Sequence, residues 1–352
     1  MQSIPLTDVE RLLEGHIDVR HRKGSIQPLR YPFAEHEFYD AFTRWVASAP
    51  SGVRLRMKTS TCALHLKLNQ RVAAFSGDPR PAPWHLFING KSFAQKQADG
   101  GAMITLEGGP VGDETATLAF DDLPKGRKDI ELWLPQSATI SIVDMAVDDG
   151  ATVKPWPDRR KRIVFHGSSI SHCMEAETAA GAWPAVAASL GDYAHTNMGW
   201  AGSCILSGLA ARIIRDQKAD AIVLKLGINV HGQGQLKDRT FADSAHSMLS
   251  IIREKHKTTP IVVISPIWSP PREDTAEGSG LTLKQMRSIL ERVVAARVNA
   301  GDKNIRYLSG LELFNEPDHG DLPDDLHPNT AGYRRMGERF HKLMLTGRKA
   351  IL

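Results

Sequence analysis

The spacing of apolar and polar positions changes character near the middle of the chain. Before residue 150 apolar residues mostly alternate with polar ones. Val53-Arg-Leu-Arg-Met-Lys58 and Leu64-His-Leu-Lys-Leu68 hold a period of two, which marks strands with one buried face. His85-Leu-Phe-Ile88 runs into Asn89-Gly90, a pair that accepts the left-handed backbone of a two-residue hairpin turn. Further runs at 103–106, 115–120, 130–134 and 139–143 are each bounded by Gly, Pro or Asp. About seven short strands with frequent turns predict a jelly-roll-like β-sandwich over residues 1–152. Residues 6–14 read as a short helix, and Trp84 and Trp133 as sandwich core in preference to a sugar platform on it.

From residue 162 onward the period differs. Apolar runs at 163–165, 193–198, 221–226, 261–264 and 305–308 alternate with stretches of helical spacing at 178–190, 203–217, 240–256, 281–299 and 329–346. Asn329 is placed to cap the last helix. Continuous apolar strands between helices predict a parallel sheet covered on both faces, over residues 162–352. The intervening segment carries Asp148, Asp149, Gly150, Pro155, Pro157 and the basic run Asp158-Arg-Arg-Lys-Arg162. It reads as the domain boundary, with the basic run as a solvated linker. Residues 272–280, polar and Gly-containing, follow the fourth strand where a lid or specificity loop would sit.

Composition narrows the class. A chain of 352 residues exceeds one average domain. Apolar and charged fractions of 41% and 24% are ordinary for a soluble globular protein. A net charge of +4 is small for this length and gives no reason to expect nucleic acid. Cys62, Cys173 and Cys204 are odd in number and widely spaced, so neither a disulfide framework nor a zinc site is expected. The start, Met1-Gln-Ser-Ile-Pro-Leu-Thr-Asp, has no basic or apolar leader, and no run suits a membrane span. The expectation is a cytoplasmic protein with no membrane partner, no metal and no organic cofactor. Nothing in the sequence speaks to its oligomeric state.

Candidate chemistry gathers at strand ends. Arg162-Ile-Val-Phe-His-Gly-Ser-Ser-Ile-Ser171 reads as strand, tight turn, then a helical segment through Ala188. A serine on such a turn stands at the sheet's carboxyl edge, beside the amides that open the next helix. Ser169 is the candidate nucleophile. A serine hydroxyl needs a base at neutral pH. Asp324-Asp-Leu-His327-Pro supplies one, because a carboxylate three residues before His327 can hold one ring nitrogen and free the other. Asp324 is the better orienter by spacing, and Asp325 is its rival. Donors for a developing oxyanion are the Ser169 amide, the Gly202 amide after the second strand and the Asn229 side chain after the third. Each block alone is as well a structural turn. Trp200 and Trp268 stand where they would line a substrate pocket or pack the core. His166, His172, His195 and His231 read as structural, and Cys173 and Cys204 as buried thiols.

Taken together, the blocks Ser, Gly, Asn and Asp-x-x-His, in that order, resemble the SGNH (GDSL-type) hydrolase superfamily. The blocks are His166-Gly-Ser-Ser-Ile-Ser171, residues 197–202, Gly227-Ile-Asn229 and Asp324 to Pro328. The resemblance covers about residues 162–345. It implies a flavodoxin-like three-layer α/β/α domain, with Ser169, Gly202, Asn229 and the Asp324–His327 pair in the family's roles. Two positions depart: Ser168 stands where Asp is usual, and Val230 follows Asn229 where Asp is common. The segment around Trp183-Pro-Ala and the ending His327-Pro-Asn-x-x-Gly-Tyr are most similar to two-domain esterases and acyltransferases. The resemblance therefore implies a small-molecule ester substrate, with an O-acylated sugar or glycosylated natural product first. Acyl transfer to an alcohol is the alternative. A catalytically silent carbohydrate-binding protein is the alternative of another class.

Overall fold

The computed structural model describes residues 1–74, 78–105, 109–234, 236–348 and 350–352. They form two compact units, Met1–Arg159 with Glu177–Ala180, and Arg160–Ala176 with Gly181–Leu352.

In the first unit, Leu64–Ala74 and Ala138–Val147 pair within a nine-stranded sheet, and Arg54–Thr59 and Lys128–Trp133 pair within a six-stranded one. The alternation dictates the packing. Leu66, Leu68 and Ile142 from one sheet meet Leu55, Met57, Leu86 and Leu132 from the other in a single apolar cluster. Strands Trp84–Ile88 and Lys91–Lys96 form the expected hairpin, with φ of 51° at Asn89 and 76° at Gly90. Trp84 and Trp133 are buried, the latter beneath the Arg54 guanidinium at 4.9 Å.

Several expectations need correcting. There are more strands than the alternation revealed, and Ala102–Thr105 runs parallel to Leu64–Ala74. Leu106, the end of the run at 103–106, lies outside the described residues. The first helix covers only Leu6–Glu10, because Leu13–Glu14 pairs with Arg54–Thr59 as a strand. Helix Ala41–Ser48 was not foreseen, although Asp40 caps it by accepting the Thr43 N–H. Asp158, read as part of a solvated linker, has a side chain only 1% exposed. Its carboxylate lies 3.0 Å from Arg54 and 3.4 Å from Arg56. Two arginines buried on strand Arg54–Thr59 require counter-charge, and Asp158 supplies part of it.

In the second unit a five-stranded parallel sheet runs in the order Ala194–Gly199, Arg162–Gly167, Ala221–Lys225, Ile261–Ile264, Ile305–Leu308. With the strands numbered along the chain this is the order 2-1-3-4-5 of the flavodoxin-like fold. The strands are almost wholly buried, hence their continuous apolar runs. Helices Trp183–Leu190 and Thr330–Phe340 pack together. There Phe165, Trp183 and Phe340 meet edge to face at 5.2–6.0 Å. Helices Gly208–Asp216, Asp238–Arg253 and Leu283–Asn299 pack in succession as the other layer. Asn329 caps Thr330–Phe340 by accepting the Gly332 N–H.

The helical segment expected directly after the serines is broken. Ser169–His172 is a single turn, ended by Cys173 at φ 61°, and the next α-helix starts at Trp183. Helix Ile228–Gln233 was also missed. The loop read as a lid is anchored at its start, where Glu273 pairs with the buried Arg287 at 2.6 Å.

Candidate active site

Strand register assembles the candidate site. Gly167 pairs with Gly199 on one side and Lys225 on the other, so three strands end level. The segments carrying Ser169, Gly202 and Asn229 all leave from that carboxyl edge. The serine turn lies directly on the neighbouring strand. A Cβ at Gly199 would stand 2.3 Å from the His172 nitrogen, so only glycine fits there.

Burial separates the three serines. Ser168 is 0% exposed and caps the one-turn helix by accepting the Ile170 N–H. Ser171 is 0% exposed as well. Ser169 alone of the three is partly exposed. Its Oγ lies 2.8 Å from His327 Nε2, across 158 residues of chain. His327 Nδ1 lies 2.6 Å from Asp324 Oδ2. Asp324 Oδ1 accepts the backbone N–H groups of His327 at 2.6 Å and Leu326 at 3.0 Å. Partial burial alone would raise the Asp324 pKa. The His327 side chain and these amides outweigh it and hold the carboxyl well below the usual range. An ionised Asp324 accepts a hydrogen bond from Nδ1–H, leaving Nε2 as the acceptor for the serine hydroxyl. Asp325, the rival, has φ 59° and bonds His319 at 2.7 Å.

The other two blocks are tied to each other. Gly202 has φ 70°, and its carbonyl accepts the Gln233 side-chain amide at 2.8 Å. Asn229 accepts the Cys204 N–H on Oδ1 at 3.1 Å, so its NH2 is the end left to donate. From the fourth strand's loop, Ser269 Oγ and Arg272 Nη1 donate to the Asp325 carbonyl at 2.6 and 3.2 Å. Arg287 donates to the Pro266 and Ile267 carbonyls, so this loop braces the turn that carries Asp324 and His327.

The remaining candidates take other places. Trp200 is 1% exposed and stands edge-on to His166. Trp268 keeps some exposed surface and meets His319 edge-on at 5.0 Å. His166 engages the Met198 carbonyl at 2.8 Å, and His231 the Thr275 carbonyl at 2.9 Å. Cys173 and Cys204 are buried. Burial raises Cys173 well above the usual thiol range and Cys204 to about 12. Neither is a thiolate nucleophile.

Sequence reading missed Lys225. It ends the third strand, is fully buried, and its Nζ has no hydrogen-bond partner among the described residues. Burial lowers its pKa to about 8. The one available signal was a lysine inside an otherwise apolar run. Among the described residues no cluster of His, Cys, Asp and Glu could hold a metal ion. No helix among them is long and apolar enough to cross a membrane.

A three-layer α/β unit with a Ser–His–Asp line at its carboxyl edge has the architecture of serine enzymes of ester chemistry. Residues 165–335 match the GDSL-like lipase/acylhydrolase family, and the chain is an enzyme acting on carboxylic esters. No curated protein matches the chain in sequence. Among solved structures it is similar to the salicylyl-acyltransferase SsfX3 from a tetracycline biosynthetic pathway. That match has 26% identity over 97% of this chain and 96% of that one, with TM-score 0.84. A Bacteroides ovatus structure classed with GDSL-like lipases is 20% identical over 96% and 95%, with TM-score 0.76. A family two carbohydrate esterase from Clostridium thermocellum in complex with cellohexaose is 15% identical over 84% and 92%, with TM-score 0.61. At those two identities the likeness is one of fold.

Proposed function

We propose that Ser169 forms an acyl-enzyme with an ester substrate, with His327 as base and then acid and Asp324 as its orienter. The observation that carries this reading is the line of two hydrogen bonds, 2.8 and 2.6 Å, joining the one accessible serine of its turn to an ionised carboxylate through an imidazole. His327 takes the hydroxyl proton as Ser169 attacks the carbonyl carbon. The Ser169 and Gly202 amides and the Asn229 NH2 receive the charge that develops on the carbonyl oxygen. Collapse of the tetrahedral species expels the alcohol, which takes the proton from His327. Water or a second alcohol then repeats the sequence in reverse on the acyl-serine.

The substrate in this reading is an O-acylated sugar or glycosylated natural product. Transfer is the second reading, favoured by the full-length similarity to a salicylyl-acyltransferase. Trp268, the partly exposed one of the two tryptophans, is the candidate for the substrate wall.

Labelling with a fluorophosphonate, followed by peptide mapping, tests the nucleophile. Modification at Ser169 supports the proposal. Absence of labelling in the folded protein would leave the silent binding protein as the better account. Acyl esters of graded chain length, assayed with and without sugar and phenol acceptors, separate hydrolysis from transfer.

A further inference from the structure

On the outer face of the six-stranded sheet, strand register sets one row of side chains across neighbouring strands. Lys154 stands opposite Lys58, and Lys58 opposite Asp129. Asn89, at the hairpin turn, donates its N–H to the Asp129 carbonyl and accepts the Asp129 N–H on Oδ1. These four residues line a cavity of about 510 Å³, together with Arg127, Lys128, Thr59 and Thr152. The size falls in the range of small-molecule sites.

The charge of the row is unbalanced. Lys58 and Lys154 are a like-charged pair directly across an antiparallel ladder, an arrangement that costs stability. Asp129 is the one carboxylate on the cavity wall, and Lys58 already holds it at 3.2 Å. Lys128 is tied to the Thr61 and Gly126 carbonyls at 2.6 and 2.9 Å, which adds a cation and no anion. Arg127 and Lys154 are exposed and have no hydrogen-bond or ion-pair partner among the described residues. Such a concave, like-charged wall attracts an anion.

We infer that this cavity is a binding site for an acidic saccharide, distinct from the ester chemistry. The lining residues include no aromatic ring, so the occupant is not held by stacking. That disfavours single-stranded nucleic acid, which relies on stacking platforms. Lys154, Lys58 and Arg127 meet the carboxylate or sulfate. Asp129, Asn89 and Thr152 offer acceptors and donors for the hydroxyls around it. The site lies wholly within the first unit and uses none of the residues assigned to acyl transfer.

Isothermal titration of the full chain tests it, with oligogalacturonate, a chondroitin sulfate oligosaccharide, cellohexaose and oligo-dT as probes. Binding is expected for at least one of the two acidic saccharides and not for cellohexaose, and added salt should weaken it. Which one binds tells a carboxylate site from a sulfate site. The double variant Lys154→Glu with Arg127→Glu should weaken it by at least about tenfold, as loss of electrostatic complementarity does. The neutral pair Lys154→Met with Arg127→Met should give a smaller loss in the same direction. Melting temperatures close to the parent's show that the variants are folded. The proposal is overturned if neither acidic saccharide binds, if cellohexaose binds equally well, or if folded variants bind undiminished. Tighter capture of oligo-dT, lost in the same variants, would overturn it in favour of nucleic acid.

Discussion

Asp325 turns its carboxylate to His319 at 2.7 Å and leaves His327 to its neighbour Asp324 at 2.6 Å. The two acids are adjacent, and a left-handed φ of 59° at Asp325 sends their side chains different ways. Its carbonyl is held in turn by Ser269 and Arg272, so the separation is braced from the fourth strand's loop.

That relationship sets the first expectation. Asp324→Asn should lower kcat/KM by roughly 10³–10⁴-fold, through loss of both the charge and the tautomer control. Asp325→Asn should have a small effect. The reverse result would move the orienting role to Asp325. The acid limb of the kcat/KM–pH profile should have unit slope, since one proton on the imidazole blocks its action as base. Asp324, held well below the usual carboxylate range, adds no second step in the range where the fold survives. A limiting slope of two would contradict this.

Ser169→Ala should abolish turnover and probe labelling with the fold intact. Ser168→Ala removes the cap of a one-turn helix, costing about 1 kcal/mol, and should keep most activity. Ser171→Ala should also stay active, because its buried hydroxyl has no partner among the described residues. An inactive Ser168→Ala beside an active Ser169→Ala would show that the register of the turn is misassigned.

Asn229 accepts the Cys204 N–H on Oδ1, which leaves its NH2 as the end that can donate. Asn229→Ala should lower kcat by roughly 10²–10³-fold with little change in KM, the mark of a donor used in the transition state. Asn229→Asp keeps the acceptor that holds Cys204 and loses the donor. It should lose kcat to a similar degree without loosening the loop. A large rise in KM at constant kcat would assign Asn229 to substrate binding.

Lys225 carries a stability cost. Its folded pKa of about 8 lies below the ordinary lysine value. Below pH 8 both states are protonated and the penalty is present in full. As pH rises through 8 the folded state releases its proton first, so stability climbs until the unfolded lysine also titrates. Lys225→Met should therefore stabilise the protein by about 3 kcal/mol at pH 7, with a smaller gain near pH 10. Denaturant unfolding at both pH values checks it. A variant less stable at pH 7 would show that the amine is compensated.

We expect the boundary between the units to be the site of first tryptic cleavage. Asp158 is pinned by Arg54 and Arg56, which protects the residues before it. Cutting should fall at Arg159, Arg160 or Lys161 rather than through the whole of 148–161. Early fragments cut within 163–265 would contradict it.

Local pattern by itself determined the class of each half. Period-two alternation can bury only one face of a strand, and unbroken apolar runs between helices only a sheet covered twice. Strand Ile261–Ile264 was legible to the residue for that reason, and Ile305–Leu308 was legible despite its exposed Arg306. The order of the four blocks and the cap at Asn329 were legible too, since spacing and residue type carry them. Tertiary structure decided the rest. Which serine faces out depends on burial against Gly199, and which aspartate reaches His327 depends on the sign of one φ. The meeting of Ser169 with His327 is a contact across 158 residues, which no local periodicity encodes. Asp158 reads as part of a solvated linker and Lys225 passes unmarked inside the run 221–226, yet both side chains are buried, and two buried arginines draw in the aspartate.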